Sequence, residues 1–222
     1  MNHPGPRDSE AGPDSLQMAI AAAKWTGVSL TQGEMDLLTA YRSWLAGEAI
    51  PAGGLGPNEG HRLWERHVAD SLLFGSGLGE GKLCLDIGSG VGLPGIPLAI
   101  SHPQAHFDLV DKSGRRCDLL RRAIGVLGLR NCSVIHSDVA QLERTYPFVV
   151  SRAAMPADQL LIHVKHLLEQ GGIANISVSR TGDWKPGVCP PTGIGLSRIS
   201  VPHRVLDTGV QLLRIEAIQD GS

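Results

Sequence analysis

The chain has 222 residues, of which 42% are hydrophobic and 19% charged, so it can bury a globular core and wholesale disorder is excluded. The formal net charge of -2 excludes a protein that is basic throughout, and the 4% of aromatic residues are too few for a base-stacking platform. By length we expect one large domain, or one domain with an extension.

The start of the chain and its cysteines argue against export and against a metal centre. The segment 1–15 has prolines and glycines but no apolar run, so we expect no signal peptide. The four cysteines include no C-x-x-C pair, which disfavours a zinc site and a disulfide scaffold. Glycines and prolines interrupt the uncharged stretch 87–107, so no membrane helix is expected there. A cytoplasmic, soluble protein is the expectation.

The first part of the chain predicts helices that precede the main domain. Residues 1–14 are expected to form a disordered tail, and 15–78 a helical extension. Thr31 and Glu34 have the spacing of a capping box, which places the start of a helix at Thr31. The glycine-rich segment 51–60 then breaks the chain. The predicted helices cover 15–25, 31–46 and a stripe formed by Leu63, Trp64, Val68, Leu72 and Leu73.

From Lys82 onward, short apolar runs alternate with helical segments. This alternation predicts right-handed βαβ units and a mainly parallel sheet with helices on both faces. Turn residues separate the last two runs, which predicts a C-terminal antiparallel hairpin. We therefore expect one Rossmann-like α/β domain over 79–222. Strands are predicted at 82–87, 106–111, 132–136, 147–151, 172–178, 195–201 and 209–217, and helices at 94–101, 112–127, 139–144 and 156–169.

The most informative segment is the loop after the first predicted strand, 85–95 (LDIGSGVGLPG). Glycines at alternate positions permit positive φ and let backbone amides approach a ligand closely. Gly90, Gly92 and Gly95 match G-x-G-x-x-G, and Asp111 ends the next strand, where an acid can hold ribose hydroxyls. This pattern leaves two ligands open, NAD(P) and S-adenosylmethionine.

Asp86 favours S-adenosylmethionine over NAD(P). It ends the first predicted strand, two residues before Gly88. A carboxylate there repels a pyrophosphate packed on the loop, whereas it attracts the ammonium and sulfonium of S-adenosylmethionine. A tight turn alone does not account for Asp86 and Asp111 together.

Four segments carry a resemblance to a known family. They are NEGHRLWERHVADSLL (58–73), LDIGSGVGLPGIPLAI (85–100), LVDKSGRRCDLLRRAIGVLGL (109–129) and VVSRA (149–153). Together they resemble the bacterial 16S rRNA guanine-N7 methyltransferases, called RsmG or GidB, over about residues 35–175. The resemblance implies a class I methyltransferase fold with an N-terminal helical extension. It also implies S-adenosylmethionine as cofactor, and 16S rRNA or the small ribosomal subunit as partner. We further expect a monomer that does not associate with a membrane.

The resemblance also assigns roles to individual residues. Arg152 is expected to face the reaction pocket, and His67 and Asp70 to lie near its mouth. The methionine end of the cofactor is assigned to the loop residues Asp86, Gly88, Ser89, Gly90 and Gly92. The ribose is assigned to Asp111, and the adenine to Ser137, Asp138, Val139 and Ala140.

The implied chemistry needs no strong base. Guanine N7 has a lone pair and no proton, so in-line displacement at the sulfonium methyl requires orientation and exclusion of water. Arg152 is expected to position the substrate or the cofactor, with a structural salt bridge as its alternative.

Residues 111–130 contain six basic and two acidic residues, so Arg115 and Arg116 are expected to contact RNA phosphates, unless this helix face is merely solvated.

Three departures from the family pattern keep other functions open. Residues 52–55 (AGGL) replace Asn-Leu-Thr, Ala140 stands where an acid is usual near the adenine, and 176–179 (ISVS) replaces Ala-Leu-Lys-Gly. The Pro/Gly-rich stretch after Arg180 replaces a helix. A non-catalytic homologue that binds S-adenosylmethionine or the ribosome, and a small-molecule methyltransferase, therefore remain alternatives.

Overall fold

The computed structural model describes residues 13–152, 154–178, 192–206 and 211–218. The predicted tail lies almost wholly outside these residues, as does the Pro/Gly-rich stretch after Arg180. At residues 13 and 14 the tail prediction is wrong, because the first helix already begins at Pro13.

Among the described residues, a sheet of seven strands forms the centre of the molecule. The strands are β1 Leu83–Ile87, β2 His106–Asp111, β3 Cys132–His136, β4 Tyr146–Ser151, β5 Leu168–Val178, β6 Ile194–Ser200 and β7 Gln211–Ala217. Their order is β3-β2-β1-β4-β5-β7-β6. The first five strands are parallel, and β7 pairs antiparallel with both β5 and β6. This confirms the predicted class I methyltransferase architecture with its C-terminal hairpin.

Helices cover both faces of this sheet. The capping box predicted at Thr31 is present, because its hydroxyl accepts from the Glu34 amide while the Glu34 carboxylate accepts from the Thr31 amide. The helices are α1 Pro13–Trp25, α2 Gln32–Trp44, α3 Asp70–Leu73, α4 Gly95–Ser101, α5 Gly114–Leu127 and α6 Ala157–Leu167, with π-helical turns at Leu45–Ala49 and Leu63–Ala69.

Side chains alternate between the two faces of each strand, and this alternation divides the hydrophobic core into two clusters. Phe107 and Phe148 point to the face covered by α1 to α5, whereas Leu85 and Val149 point to the face covered by α6. Both faces are buried because side chains alternate across a strand and the parallel strands are covered by helices on either side.

The N-terminal helices share the first of these clusters. Tyr41 and Trp44 of α2 are buried in it together with residues of β1, β2 and β4, and their rings stack at 6.1 Å. The Tyr41 hydroxyl donates to the carbonyl oxygen of Val91, in the glycine loop, at 2.9 Å. The extension is therefore packed directly onto the loop that the sequence marks as functional, although the predicted boundary at 78/79 stays a prediction.

The helix predicted over 139–144 is wrong. Only a single 3-10 turn is present, at Val139–Gln141. The Asp138 carboxylate accepts from the Ala140 amide at 3.0 Å and so caps this turn, while Leu142 already has extended backbone (φ -80°, ψ 129°).

Candidate functional site

A cavity of about 500 Å³ opens at the carboxyl ends of β1, β2 and β4. In open parallel sheets, ligands bind at this edge, and the volume lies within the usual range for small-molecule sites. The wall combines backbone of the glycine loop, carboxylates and apolar side chains. It is formed by Gly54, Leu55, Ile87, Gly88, Ser89, Gly90, Val91, Leu93, Val110, Asp111, Lys112, Arg116, Ser137, Asp138, Val139, Arg152, Ala154, Met155, Gln159 and His163.

The glycine loop follows β1 and is held against β2. The amides of Gly88 and Ser89 both donate to the carbonyl oxygen of Val110, at 2.9 and 3.0 Å. Gly88 has a φ of +70°, and a Cβ built on it would lie 2.4 Å from the Cβ of Ala154. Only glycine therefore fits at this position, where the backbone forms part of the cavity wall.

Asp111 links the end of β2 to the glycine loop. One carboxylate oxygen accepts from the Gly90 amide at 3.0 Å, and the other accepts from the Ser113 amide at 2.9 Å. The guanidinium of Arg116 lies 3.6 Å away at the exposed side of the cavity. The carboxylate is thus fixed in orientation at the wall, which is the arrangement needed to accept hydrogen bonds from a diol.

Asp86 lies beneath the loop and does not line the cavity, which corrects the position expected from the sequence. Its side chain is fully buried, and Oδ2 accepts from the Gly95 amide at 3.0 Å. Among the described residues, Oδ1 has no hydrogen-bond partner. Burial raises the pKa of Asp86 to about 7, although the Gly95 amide and the charge of Arg152 both favour its ionised form.

Two further residues predicted to contact the cofactor do not line the cavity. Gly92 packs against α4, since a Cβ on it would lie 2.3 Å from the side chain of Ile96. Ala140 lies exposed in the 3-10 turn, whereas Ser137, Asp138 and Val139 reach the cavity itself. An acid, Asp138, therefore lies just after β3, two residues before Ala140, the position where the family resemblance led us to expect one.

Arg152 lines the cavity just after β4. Its guanidinium donates to the carbonyl oxygen of Arg66 at 2.8 Å and to Nδ1 of His67 at 2.9 Å. The buried carboxylate of Asp70 favours the charged form of this guanidinium and so opposes the fall in pKa that burial causes. His67 and Asp70 are buried around Arg152 and are absent from the cavity wall, which corrects the expectation that they lie at its mouth.

The two arginines predicted to contact RNA, Arg115 and Arg116, and two further arginines of α5 all have partners within the protein. Arg115 donates to the carbonyl oxygen of Ala52 and so ties α5 to the extension. Arg121 is paired with Asp118, and Arg122 with Glu48. Besides Arg152, the cavity wall includes the cationic side chains of Lys112 and Arg116, and Arg116 lies 3.6 Å from the Asp111 carboxylate.

Sequence reasoning missed a second group of wall residues. Gly54 and Leu55, in the segment predicted only as a chain break, form part of the cavity. Gly54 packs so closely that an added Cβ would lie 2.4 Å from the Val91 side chain. His163 of α6 also lines the cavity.

Within the described ranges, no group of three or more His, Cys, Asp or Glu side chains could hold a metal ion. Every helix in those ranges is too short or too polar to span a bilayer.

Comparison with known sequences identifies one family. Residues 35–177 match the model of GidB, rRNA small subunit methyltransferase G. The chain is 38% identical over 137 residues to the ribosomal RNA small subunit methyltransferase G of Acidothermus cellulolyticus, covering 62% of each chain. It is 40% identical to that of Mycolicibacterium gilvum, covering 60% of each. The chain thus spans about three fifths of the length of these curated relatives.

Solved structures agree on the fold at much lower identity. A ribosomal protein L11 methylase from Lactobacillus delbrueckii subsp. bulgaricus has a TM-score of 0.53 at 13% identity, covering 69% of this chain and 79% of that one. The M. jannaschii TYW2 protein, solved in complex with AdoMet, has a TM-score of 0.50 at 16% identity, covering 68% and 74%.

Proposed function

Because the chain belongs to the family of rRNA small subunit methyltransferase G, we propose that it methylates N7 of a guanine in 16S rRNA with S-adenosylmethionine as cofactor. The single observation that supports this activity is the cavity at the carboxyl ends of β1, β2 and β4. There the glycine loop, the Asp111 carboxylate and the Arg152 guanidinium converge on one space.

The residues present fit S-adenosylmethionine. Asp111 would hold the ribose hydroxyls, because its oxygens are fixed by two amides at the wall. Gly88, Ser89 and Gly90 would hold the methionine end with their backbone, while Val110 and Val139 offer apolar surface to the adenine. In its ionised form, the Asp86 carboxylate, whose Oδ1 has no hydrogen-bond partner among the described residues, supplies negative potential from beneath the loop, which suits a cationic ligand better than a pyrophosphate.

The chemistry requires positioning more than proton transfer. S-adenosylmethionine, when bound, supplies a methyl group activated by the adjacent sulfonium. The accepting N7 carries no proton, so no residue has to act as a strong base, and the protein must orient the guanine and exclude water. Arg152 is the wall residue suited to orient the base or a phosphate, because its planar guanidinium presents several donors in a fixed geometry.

Methyl transfer to ribosomal particles tests the proposal. Small subunits from cells that lack the endogenous enzyme would be incubated with the full chain and S-adenosylmethionine labelled with tritium in the methyl group. We expect label in 16S rRNA, at guanine N7 when the nucleotide is mapped. Binding of S-adenosylmethionine without labelling of the rRNA would favour the non-catalytic homologue. If a parallel incubation with a cell extract labels small metabolites but no RNA, the protein is a small-molecule methyltransferase.

A matched pair of variants links this activity to the cavity. Asp111→Asn replaces one accepting oxygen by an amide NH2, which cannot accept from the Gly90 or Ser113 amide, and we expect it to weaken S-adenosylmethionine binding by about 1–3 kcal/mol, roughly 5- to 150-fold. Asp118→Asn, on the exposed face of α5, makes the same chemical change away from the cavity and should leave binding unaltered. Calorimetry would measure both, and binding of NADH instead would contradict the assignment.

A further inference from the structure

A continuous chain of hydrogen bonds leads from the N-terminal extension to the cavity wall. Nε2 of His67 lies 2.8 Å from a carboxylate oxygen of Glu59, and Nδ1 of the same ring lies 2.9 Å from the Arg152 guanidinium. Arg152 also donates to the carbonyl oxygen of Arg66, next to His67 in the chain. Two donors of one guanidinium are thereby held by neighbouring residues of the extension.

The partners of the His67 ring determine where its proton lies. A carboxylate only accepts hydrogen bonds and a guanidinium only donates them. The Glu59 contact therefore requires a proton on Nε2, and the Arg152 contact requires a free lone pair on Nδ1. Only the neutral Nε2–H tautomer satisfies both contacts.

The surroundings of His67 keep it neutral. Its side chain is buried, and burial followed by the positive charge of Arg152 lowers its pKa to about 4. The hydrogen bond from His67 in turn lowers the pKa of Glu59, so the carboxylate stays ionised. Both ring nitrogens are occupied, which leaves His67 without a free nitrogen for a substrate.

We propose that Glu59 and His67 are positioning residues that hold the Arg152 guanidinium at the cavity wall in the orientation that methyl transfer requires. The inference rests on the proposed function, because it concerns the reaction in the same cavity. Glu59 fixes the tautomer and rotation of the ring, and the ring supplies the acceptor that fixes the guanidinium. Neither residue touches the space where cofactor and base would meet.

A double-variant cycle separates positioning from general structural support. His67→Phe removes the acceptor while keeping a planar ring, and we expect kcat to fall about 10- to 100-fold, with unchanged affinity for S-adenosylmethionine. Arg152→Ala should lower kcat at least as much, and the combination should be no worse than Arg152→Ala alone. Losses that multiply in the double variant would overturn the proposal, since His67 would then act independently of Arg152.

Variants at Glu59 and Arg62 supply the matched control. Arg62 contacts the other oxygen of Glu59, so Arg62→Gln removes that ion pair and leaves the Glu59–His67 contact in place. We expect Glu59→Ala to lower kcat and Arg62→Gln to leave it unchanged. Equal losses in both variants would show that the ion pair, and not the ring, carries the effect. Glu59→Gln keeps an accepting oxygen and should restore most of the activity lost in Glu59→Ala.

A spectroscopic measurement tests the arrangement even if no methyl transfer is detected. The 15N shifts of the His67 ring report which nitrogen carries the proton, and His67→Phe identifies its signals. We expect the Nε2–H tautomer from pH 8 to pH 6 in the wild type. In Glu59→Ala we expect mixed tautomers, because the ring can then rotate away from the Arg152 guanidinium that requires a free Nδ1. A protonated ring at pH 6, or an Nδ1–H tautomer, would overturn the proposal, whereas absence of labelled rRNA with the expected tautomer would refute the proposed function alone.

Discussion

The hydroxyl of Tyr41 in α2 donates a 2.9 Å hydrogen bond to the backbone carbonyl of Val91 in the glycine loop. Tyr41 is fully buried, so removal of its hydroxyl leaves that carbonyl without this donor in a dry environment. We expect Tyr41→Phe to lower the free energy of unfolding by about 1–3 kcal/mol and to weaken S-adenosylmethionine binding. Denaturant unfolding and calorimetry would measure the two effects.

Ser43→Ala is a suitable control for that variant. The Ser43 hydroxyl donates to the Thr39 carbonyl on the exposed surface of the same helix, far from the loop. Its loss should change the free energy of unfolding by less than about 0.5 kcal/mol, as is usual for surface substitutions. If Tyr41→Phe destabilises the fold but binds the cofactor normally, the helix supports the core without shaping the loop.

Gly88 and Gly90 offer a graded test of the loop geometry. Both have positive φ, +70° and +62°, so alanine at either position costs about 1–2 kcal/mol of backbone strain. An added Cβ at Gly88 would also collide with Ala154, whereas the nearest atom at Gly90 is a carbonyl oxygen at 3.9 Å. We therefore expect Gly88→Ala to be the more destabilising and to weaken cofactor binding further. Thermal unfolding and calorimetry of the pair would reveal this order, which equal losses would contradict.

The raised pKa of Asp86 leads us to expect that the free energy of unfolding depends on pH. Its pKa in the folded protein is about 7, above the usual carboxyl value, so between about pH 4 and pH 7 the folded state binds more protons than the unfolded state. This group therefore lowers the free energy of unfolding as pH rises through that window, and adds no further loss above pH 7. Asp86→Asn, which does not titrate, should remove this slope, as chemical unfolding at pH 5, 6, 7 and 8 would measure.

Binding of S-adenosylmethionine should become tighter as pH rises, because it favours the ionised form of Asp86. A cationic ligand favours the ionised carboxylate and so lowers its pKa, which releases a proton on binding near pH 7. Calorimetry in buffers with different ionisation enthalpies would detect this proton, and S-adenosylmethionine should bind more tightly at pH 8 than at pH 6. A binding constant independent of pH in this range would show that Asp86 does not sense the ligand's charge.

Local sequence patterns were sufficient to predict most of the fold. The alternation of strands and helices gave the parallel sheet, and Thr31 with Glu34 gave a helix start, because both depend on residues close in sequence. Contacts between distant residues could not be predicted. His67 meets Arg152 from 85 residues away, and Arg115 meets the Ala52 carbonyl from 63 residues away, so their partners depend on how the extension packs.

In the candidate site, too, local patterns could be predicted from the sequence and contacts between distant residues could not. Asp111 and the loop glycines were identifiable because a strand end and a glycine pattern fix their place. The burial of Asp86 could not be predicted from the sequence, because it depends on how closely Gly95 packs against this side chain. A Cβ added to Gly95 would lie 2.6 Å from Oδ2 of Asp86.

Lys112 offers a test of RNA binding at the cavity. It lies at the wall with an exposed side chain, and among the described residues no carboxylate pairs with it. Arg121, an exposed residue of the following helix α5, is instead paired with Asp118 at 2.9 Å. We expect Lys112→Gln to weaken binding of a 16S rRNA fragment and to reduce the slope of log affinity against log salt by about 0.7, the value for one lost phosphate contact on a single strand. Arg121→Gln should leave both unchanged. Filter binding over a series of salt concentrations would measure the slopes, and equal effects of the two variants would mean that RNA contacts α5 without regard to the cavity.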